Sequence, residues 1–409
     1  MNHLLIIGYV WVEPNSSAAG SRMLQLIELF LQQNYKITFT SPSLKGEKAF
    51  DLSSIGVDEE TIELNNSSFD GFIQKLNPTT VLFDRFMMEE QFGWRVAENC
   101  PEALRILDTE DLHFLRKTRH KKLKRNEIFT TESLLTSDDT KREIASILRC
   151  DLSIIISLYE MKLLIDVFKI DKELLYHLPF LLPEIDRYVI EKWKPYEKRK
   201  DFVFIGNFFH APNVDAVLQL KSIWKDIRKQ LPEVEVHIYG AYATQQINQL
   251  HKPKEGFIVK GFAKNALEVV NKARVILVPL RFGAGIKGKL TEAMICGTPS
   301  VTTKIGAEGM HGNLPWNGFI ENDLDQFLKK AIELYTNEKL WKSFQTNGID
   351  IINSIYDKDK ISQPFIYQIK ILQKNIVDHR NKNFLGNLLQ HQTLQATKYM
   401  SKWIEEKNK

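Results

Sequence analysis

The sequence predicts an α/β protein built from two Rossmann-like halves, and three observations carry that prediction. At 409 residues the chain can hold two domains of ordinary size, each with its own core. Short β-branched apolar runs alternate with stretches of helical spacing. The opening plan of strand, glycine, loop and helix at residues 4–8 starts over at residues 202–206.

In order, residues 4–7 read as a buried strand ending at Gly8, followed by a loop rich in Pro, Asn and Ser. Residues 16–21 supply N-cap candidates for a helix over 23–33, whose Met23, Leu24, Ile27, Phe30 and Leu31 fall on one face. Residues 35–40 make the next strand, so the chain opens as a βαβ unit with a small-residue loop at the helix start, a natural anion site. Strands follow at 79–83 and 104–107. At the carboxyl end of the latter stand Asp108, Thr109, Glu110, Asp111, Leu112 and His113. Open α/β sheets bind ligands there, so His113 is a candidate to polarise a substrate group, with Asp108 or Asp111 orienting it. The competing reading has Asp111 capping a helix and His113 solvated in its first turn. Residues 151–156 form a further strand, 174–182 hold a strand-like run broken at Pro179 and Pro183, and the charged, proline-punctuated stretch 184–200 reads as a linker. The expected divisions are residues 1–183, the linker 184–200, residues 201–358, and helices over 359–409.

The second half repeats the scheme, with strands at 202–205, 234–239, 257–260 and 275–280. After the last of these comes a glycine loop holding Gly283, Gly285 and Gly288, then a helix over 289–296 that stops at Gly297 with Pro299 beyond, and a strand at 300–303. A helix N-terminus under a glycine loop, with Lys287 and Lys289 at hand, is a place to hold phosphates. Lys289 and Glu292 share a helical face in the first turn, and Arg281 just before the loop is a further cation. Two short motifs overlap here. GAGIKG fits the letters of a dinucleotide fingerprint, yet the following strand ends in Thr302, Thr303 and Lys304 where an acidic residue is needed. GAGIKGK also begins like a P-loop, but Leu290 stands where Ser or Thr must reach magnesium. The blandest alternative is a glycine turn that serves packing alone.

Composition narrows the classes. With 43% hydrophobic and 26% charged residues, this is the composition of a soluble globular protein, and a net charge of +4 is too small to argue for nucleic acid. Cys100, Cys150 and Cys296 are far apart, odd in number and without metal spacing, which suggests a reducing compartment. Residues 3–12 are apolar but short, lack a basic leader and read as a first strand rather than a signal peptide; no run of about eighteen apolar residues exists to span a membrane. A cytoplasmic location is expected. The basic run from Arg116 to Arg125 fits either peripheral membrane contact or a solvated helix face. The amphipathic tail 381–409, with Leu385, Leu388, Leu389, Leu394, Met400 and Trp403, could pack on the first domain, pair with another chain or lie on a membrane.

Pro279 through Lys287, then Lys289-Leu290-Thr291-Glu292-Ala293-Met294, then Gly297-Thr298-Pro299 and Gly306-Ala307-Glu308-Gly309, resemble the nucleotide-sugar motif of family-four glycosyltransferases. Those enzymes have the GT-B fold, two Rossmann-like domains facing across a cleft, with the donor in the second and the acceptor mainly in the first. In that family two glutamates stand eight positions apart, the first on the donor sugar and the second on the ribose. Glu292 matches the second; the first falls on Ala284, so the chain resembles the subgroup with a Gly-x-Gly-Ile-Lys loop in its place. The resemblance implies nucleotide-sugar contacts at Gly20, Gly206, Asn207, Phe262, Arg281, Gly283, Gly285, Ile286, Lys287, Lys289, Leu290 and Glu292. It implies a histidine near the donor sugar, which fits His113, and the residue pattern adds Asp108 and Lys289 as the other candidates at the chemistry. The matching helix opening at 211–216 lacks the Arg and Lys that many members use on the diphosphate, leaving that charge to Lys287 and Lys289.

The expected activity is therefore transfer of a sugar from a nucleoside diphosphate sugar to a hydroxyl of a glycan, lipid-linked or small acceptor. The resemblance implies a retaining reaction with no obligatory metal and no cofactor beyond the donor. Asp108-Thr109-Glu110-Asp111 only loosely imitates a metal-binding Asp-x-Asp. The competing readings are a GT-B epimerase or hydrolase of the donor, a dehydrogenase using GAGIKG, and a non-catalytic sugar-nucleotide or glycan-binding module.

Overall fold

The structure, a computed structural model, describes residues 2–391 together with 399–401, 403–404 and 406–407. Two parallel sheets organise it. The first contains β1 (His3–Ile7), β2 (Lys36–Ser41), β3 (Asp58–Thr61), β4 (Thr80–Asp84), β5 (Leu104–Asp108), β6 (Leu152–Ile155) and β7 (Leu175–His177), in the order β3-β2-β1-β4-β5-β6-β7. The second contains β8 (Lys200–Ile205), β9 (Val236–Tyr239), β10 (Phe257–Gly261), β11 (Ala273–Val278), β12 (Ser300–Thr302) and β13 (Gly318–Ile320), in the order β10-β9-β8-β11-β12-β13. This is an α/β protein of two Rossmann-like domains.

The central strands are apolar on both faces because helices cover both sides of a parallel sheet. Leu4 to Ile7 and Val275 to Val278 are fully buried. In each sheet the first strand of the domain, β1 or β8, sits between its successor and a later strand, β4 or β11. That reversal opens a crevice at the carboxyl ends. The glycine loop leaves β11 at the second reversal, so its place in the fold follows from strand order.

Expected and observed elements differ by small slips at their ends: the 275–280 strand runs Ala273–Val278, and the 289–296 helix runs Gly288–Ile295. The strand Asp58–Thr61 escapes a reading built on apolar runs, because its sequence is DEET. It is an edge strand, where charge is tolerated and discourages pairing with other chains. The stretch 184–200 is packed rather than extended in solvent. Trp193 Nε1 donates to Ile295 O at 2.8 Å, and Arg199, fully buried, donates to Thr298 Oγ1 at 2.6 Å and Cys296 O at 2.7 Å.

The chain returns to the first domain after a π-helical turn at Ile352–Tyr356. The helix Lys358–Lys374 then buries Phe365, Ile366, Ile369 and Leu372 in the same core as Phe30 and Ile37. The outgoing and returning crossings run side by side: Leu182 N–H donates to Tyr356 O, and Lys358 N–H donates to Leu182 O, both at 2.8 Å. Ile185 N–H donates to Asn353 Oδ1 at 2.8 Å beside them.

The tail helix Phe384–His391 lays Gly386 against the Leu148 carbonyl and keeps Leu385 and Leu388 exposed, with Leu389 half-buried. Met400 and Trp403 are exposed as well, and Leu394 lies outside the described residues. No described helix is long and apolar enough to cross a membrane.

Candidate functional site

Three segments of the second domain meet at the carboxyl ends of β8 and β11. Gly206 ends the first; the helix Ala211–Gln230 opens the second; the helix Gly288–Ile295 opens the third. Lys289 ties them together. Its Nζ donates to Asn213 Oδ1 at 2.5 Å and lies 4.4 Å from the centre of the Phe204 ring. Asn213 Nδ2 in turn donates to Asn207 O at 2.7 Å. A Cβ added at Gly206 would sit 2.7 Å from the Lys289 ammonium, so glycine leaves room for that charge.

Neither helix is capped by a side chain at its start. Pro212 has no N–H, and the Asn213 and Leu290 N–H groups turn back to His210 O and Lys287 O at 2.9 and 2.8 Å, which leaves Ala211, Gly288 and Lys289 as first-turn amides without a partner among the described residues where the two helix starts and the ammonium meet. Burial pulls Lys289 down to about 7, opposed by Glu292, and pushes Glu292 up to about 7, opposed by Lys289. No ion pair joins the two among the described residues; Lys289 spends its hydrogen bond on Asn213 instead.

Lys287 does something else. Its Nζ donates to Gly285 O at 2.8 Å, it is only 8% exposed, and burial lowers it to about 8, with the Glu308 and Glu160 carboxyl groups nearby. It belongs to the seam between the domains. There the first domain holds the glycine loop. Glu160 Oε1 accepts the Gly285 N–H at 2.8 Å and the Leu112 N–H at 3.0 Å. Arg119 donates to Gly283 O at 2.8 Å and to both Glu308 oxygens at 2.7 and 2.8 Å. His120 stacks on Phe282 with ring centres 4.3 Å apart. Gly285 needs to be glycine twice over: its φ is +63°, and a Cβ would lie 2.8 Å from Asp111 Cβ. Ala18 closes on Gly288 in the same way.

Arg119, Glu160 and Glu308 were not candidate ligands in the sequence. Arg119 lies within the basic run, four of whose members form ion pairs: Arg116 with Asp111, Lys117 with Asp139, Arg119 with Glu308 and Lys122 with Glu127. Its buried member, Arg119, latches the domains.

In the first domain the geometry separates the candidates. Asp108 does not orient His113. It is fully buried, with Arg22 Nε 3.2 Å from both its oxygens and Arg22 Nη2 3.1 Å from Oδ1, while Arg22 also donates to Leu178 O. His113 Nδ1 lies 3.1 Å from Asp111 O and 3.3 Å from Asp111 Oδ1. Arg116 and His113 hold the Asp111 carboxyl below its usual range against the upward push of burial. Asp111 is also not the helix cap. Glu143 accepts the N–H groups of His113 and Phe114 at 3.1 and 2.8 Å, so a carboxylate from another helix satisfies that terminus. His113 is 8% exposed rather than solvated.

Gly20 is a packing residue: Ser17 Oγ takes its N–H at 3.0 Å, and a Cβ would strike the Glu13 carbonyl. Arg281 is exposed and paired with Asp215, Nε to Oδ2 at 2.9 Å. Ile286 and Leu290 are buried in the core of the second domain. Asn207 reaches across the cleft, its Nδ2 donating to Ser16 O at 3.2 Å. Phe262 lies on an aromatic ledge with Tyr242 and Phe209. Lys48 Nζ is 5.3 Å from the Phe262 ring and 4.8 Å from Tyr242, which stacks on Phe209 at 4.3 Å. Among the described residues the one grouping of metal-type side chains is Asp201, Glu235 and His237, at the amino ends of β8 and β9, away from the cleft.

Known proteins share this architecture. Staphylococcus aureus TarM, solved with Fondaparinux, α-GlcNAc-glycerol and UDP, superposes with a TM-score of 0.68 at 11% identity, over 90% of this chain and 99% of that one. Sucrose-phosphate synthase from Thermosynechococcus elongatus gives 0.68 at 14% identity, over 91% and 99%. Anabaena HepE, solved with UDP and glucose, gives 0.66 at 13% identity, over 91% and 100%. In sequence, a 44.6 kDa protein of the Klebsiella pneumoniae cps region is 25% identical over 167 residues, which cover 39% of this chain and 43% of that relative's length. Residues 199–337, the span that carries Gly206, Asn213, the glycine loop, Lys289 and Glu292, match the family described as glycosyl transferases group 1, within a chain that has the GT-B fold throughout.

Proposed function

We propose that the protein is a glycosyltransferase that moves a sugar from a nucleoside diphosphate sugar to a hydroxyl of a glycan, lipid-linked or small acceptor, with retention of configuration and without an obligatory metal. The observation that carries this reading is the convergence of Lys289, Gly206 and two uncapped helix N-termini in one crevice. Such a site suits a pyrophosphate, whose charge grows as the glycosyl bond breaks. The match of that same domain to group 1 glycosyl transferases supports it, as do the UDP-bound relatives of the same fold.

In this reading Lys289 meets the diphosphate together with the amides of Gly288 and Lys289. Glu292, in the same helix turn, accepts hydrogen bonds from the ribose. Phe262 and its ledge face the base. Sugar and acceptor meet between the glycine loop and the carboxyl ends of β4 and β5. The leaving phosphate itself takes the acceptor proton, so no protein nucleophile is required. Closing the domains over the loop keeps water from the donor, and the Arg119 and Glu160 contacts describe the closed arrangement.

A thermal-shift panel of UDP, GDP, ADP, dTDP and CMP tests the reading, followed by donors bearing the preferred base. Stabilisation by a nucleoside diphosphate and appearance of a glycosylated product are expected. Indifference to every nucleotide rejects it, and NAD(H) binding in place of a nucleoside diphosphate would favour the dehydrogenase.

A further inference from the structure

The carboxyl ends of β4 and β5 lie side by side and each delivers a carboxyl group that the protein leaves unsatisfied. Asp84 is 4% exposed; its Oδ2 accepts the Tyr9 N–H at 2.9 Å, while its Oδ1 has no hydrogen-bond partner. Glu110 Oε1 is buried and likewise without a partner. Buried polar atoms are almost always paired, so two open carboxyl oxygens on neighbouring strands mark a place where something else completes the bonding.

The neighbours define what that is. Asp108, the third carboxylate, is neutralised by Arg22 and unavailable. Arg85 Nε lies 3.5 Å from the same Asp84 Oδ1, an ion pair without a hydrogen bond, and its guanidinium stands over the Tyr9 ring at 5.1 Å, making no hydrogen bond among the described residues. Arg85 and Glu110, the residues that follow or near the two strand ends, both have left-handed backbone, with φ of +71° and +60°. Such conformations in non-glycine residues gather at functional sites. Glu110 also borders the glycine loop: its carbonyl oxygen is 3.5 Å from where a Cβ of Gly285 would be.

Burial, then the nearby Asp108 and Asp84, drives the Glu110 carboxyl well above its usual range, which favours the protonated form that can donate. Asp84 and Arg85 then offer an acceptor and a donor. A hydroxyl group both donates and accepts, and fits such a mixture. An anionic group has no proton to give the open Asp84 Oδ1, so it matches this mixture less well than a hydroxyl.

We propose that Asp84 Oδ1, Glu110 Oε1 and the Arg85 guanidinium form a subsite for the hydroxyls of an uncharged glycan acceptor, which enters by displacing the Arg85–Tyr9 stack. This rests on the glycosyl-transfer reading and deepens it. The cleft is thereby divided by charge, with the anionic donor on the Lys289 lobe and a neutral polyol on the Asp84 lobe.

Binding of methyl α-D-glucopyranoside and of the corresponding methyl glucuronide to the full-length protein, followed by saturation-transfer NMR, tests it. The wild type should bind the glucoside and discriminate against the glucuronide. Asp84→Asn keeps an acceptor for the Tyr9 N–H, and Glu110→Gln keeps the shape; each should weaken glucoside binding about tenfold. Equal binding of both sugars, no glucoside binding by the wild type, or wild-type affinity in both variants overturns the subsite. UDP titrated into the same samples reports separately on the other lobe. A wild type that binds the glucoside but no nucleoside diphosphate rejects glycosyl transfer and leaves the subsite standing.

Discussion

The two domains open with the same local plan, and the comparison between those openings shows what turns a fold feature into a site. In the first domain, β1 runs to Gly8 and the following helix Ala18–Gln32 is capped by Ser17 Oγ on the Gly20 N–H. Gly20 is pressed on the Glu13 backbone, so the space above that helix is filled by the protein itself. In the second domain, β8 runs to Gly206, the following helix has no side-chain cap, and the group nearest Gly206 is the Lys289 ammonium. One opening has its third amide, that of Gly20, held by a side chain. The other meets its third amide with its own backbone, Asn213 N–H on His210 O at 2.9 Å, and sets a lysine beside it.

The strongest way to break this contrast is Lys289→Ala. Loss of the ammonium that faces developing diphosphate charge should lower turnover about 10²–10³-fold, measured with the preferred donor; full turnover would remove Lys289 from the chemistry. A second test sets the two glycines against each other. Gly20→Ala should cost about 1–3 kcal/mol of stability through backbone overpacking, seen as a lower denaturant midpoint, with nucleotide affinity per folded molecule unchanged. Gly206→Ala should fold, because side chains rather than backbone must yield, those of Lys289 and Asn213, yet bind nucleoside diphosphate about tenfold more weakly. A reversal of those two phenotypes would refute the assignment.

Arg119→Ala probes what the first domain contributes to the second. Its removal leaves Glu308 unpaired and Gly283 O without its donor, so turnover should fall about tenfold through a loop that no longer closes, while the affinity for UDP alone changes less. The smallest expected effect is on pH dependence. Lys289 is lowered to about 7, so it loses its proton on that side of neutrality rather than near 10.5. An anion prefers the protonated form; affinity for nucleoside diphosphate should therefore decline as pH rises from 6 to 9, by about fivefold. A flat profile by calorimetry would show that Lys289 stays charged throughout.

Much of the fold was legible because parallel strands covered on both faces announce themselves as apolar runs, as with Val275 to Val278. DEET at Asp58–Thr61 was not, since an edge strand can be charged and its pairing is set by register with β2. In the site, the glycines, Lys289 and Glu292 were legible as a short local pattern. The cross-domain contacts were not: Arg119 and Gly283 are 164 residues apart, and Glu160 and Gly285 are 125 apart. No periodicity links such pairs. The role of Asp108 was misplaced for the same reason, its partner Arg22 being 86 residues away. One signal could have helped: an arginine in a basic helix at the spacing of Arg119, with acidic Glu308 in the tail of the second motif, is a candidate pair once the two domains are known to face each other.

The paired crossings at Leu182 and Tyr356–Lys358 bear on how such a cleft can move. A single tether would let the lobes twist or slide freely, whereas two strands of chain fastened to each other by reciprocal hydrogen bonds behave as a strap hinge. Swinging about that strap displaces nearby groups little and the opposite rim most, so the grip of Arg119 on the glycine loop would be among the contacts released as the jaws part.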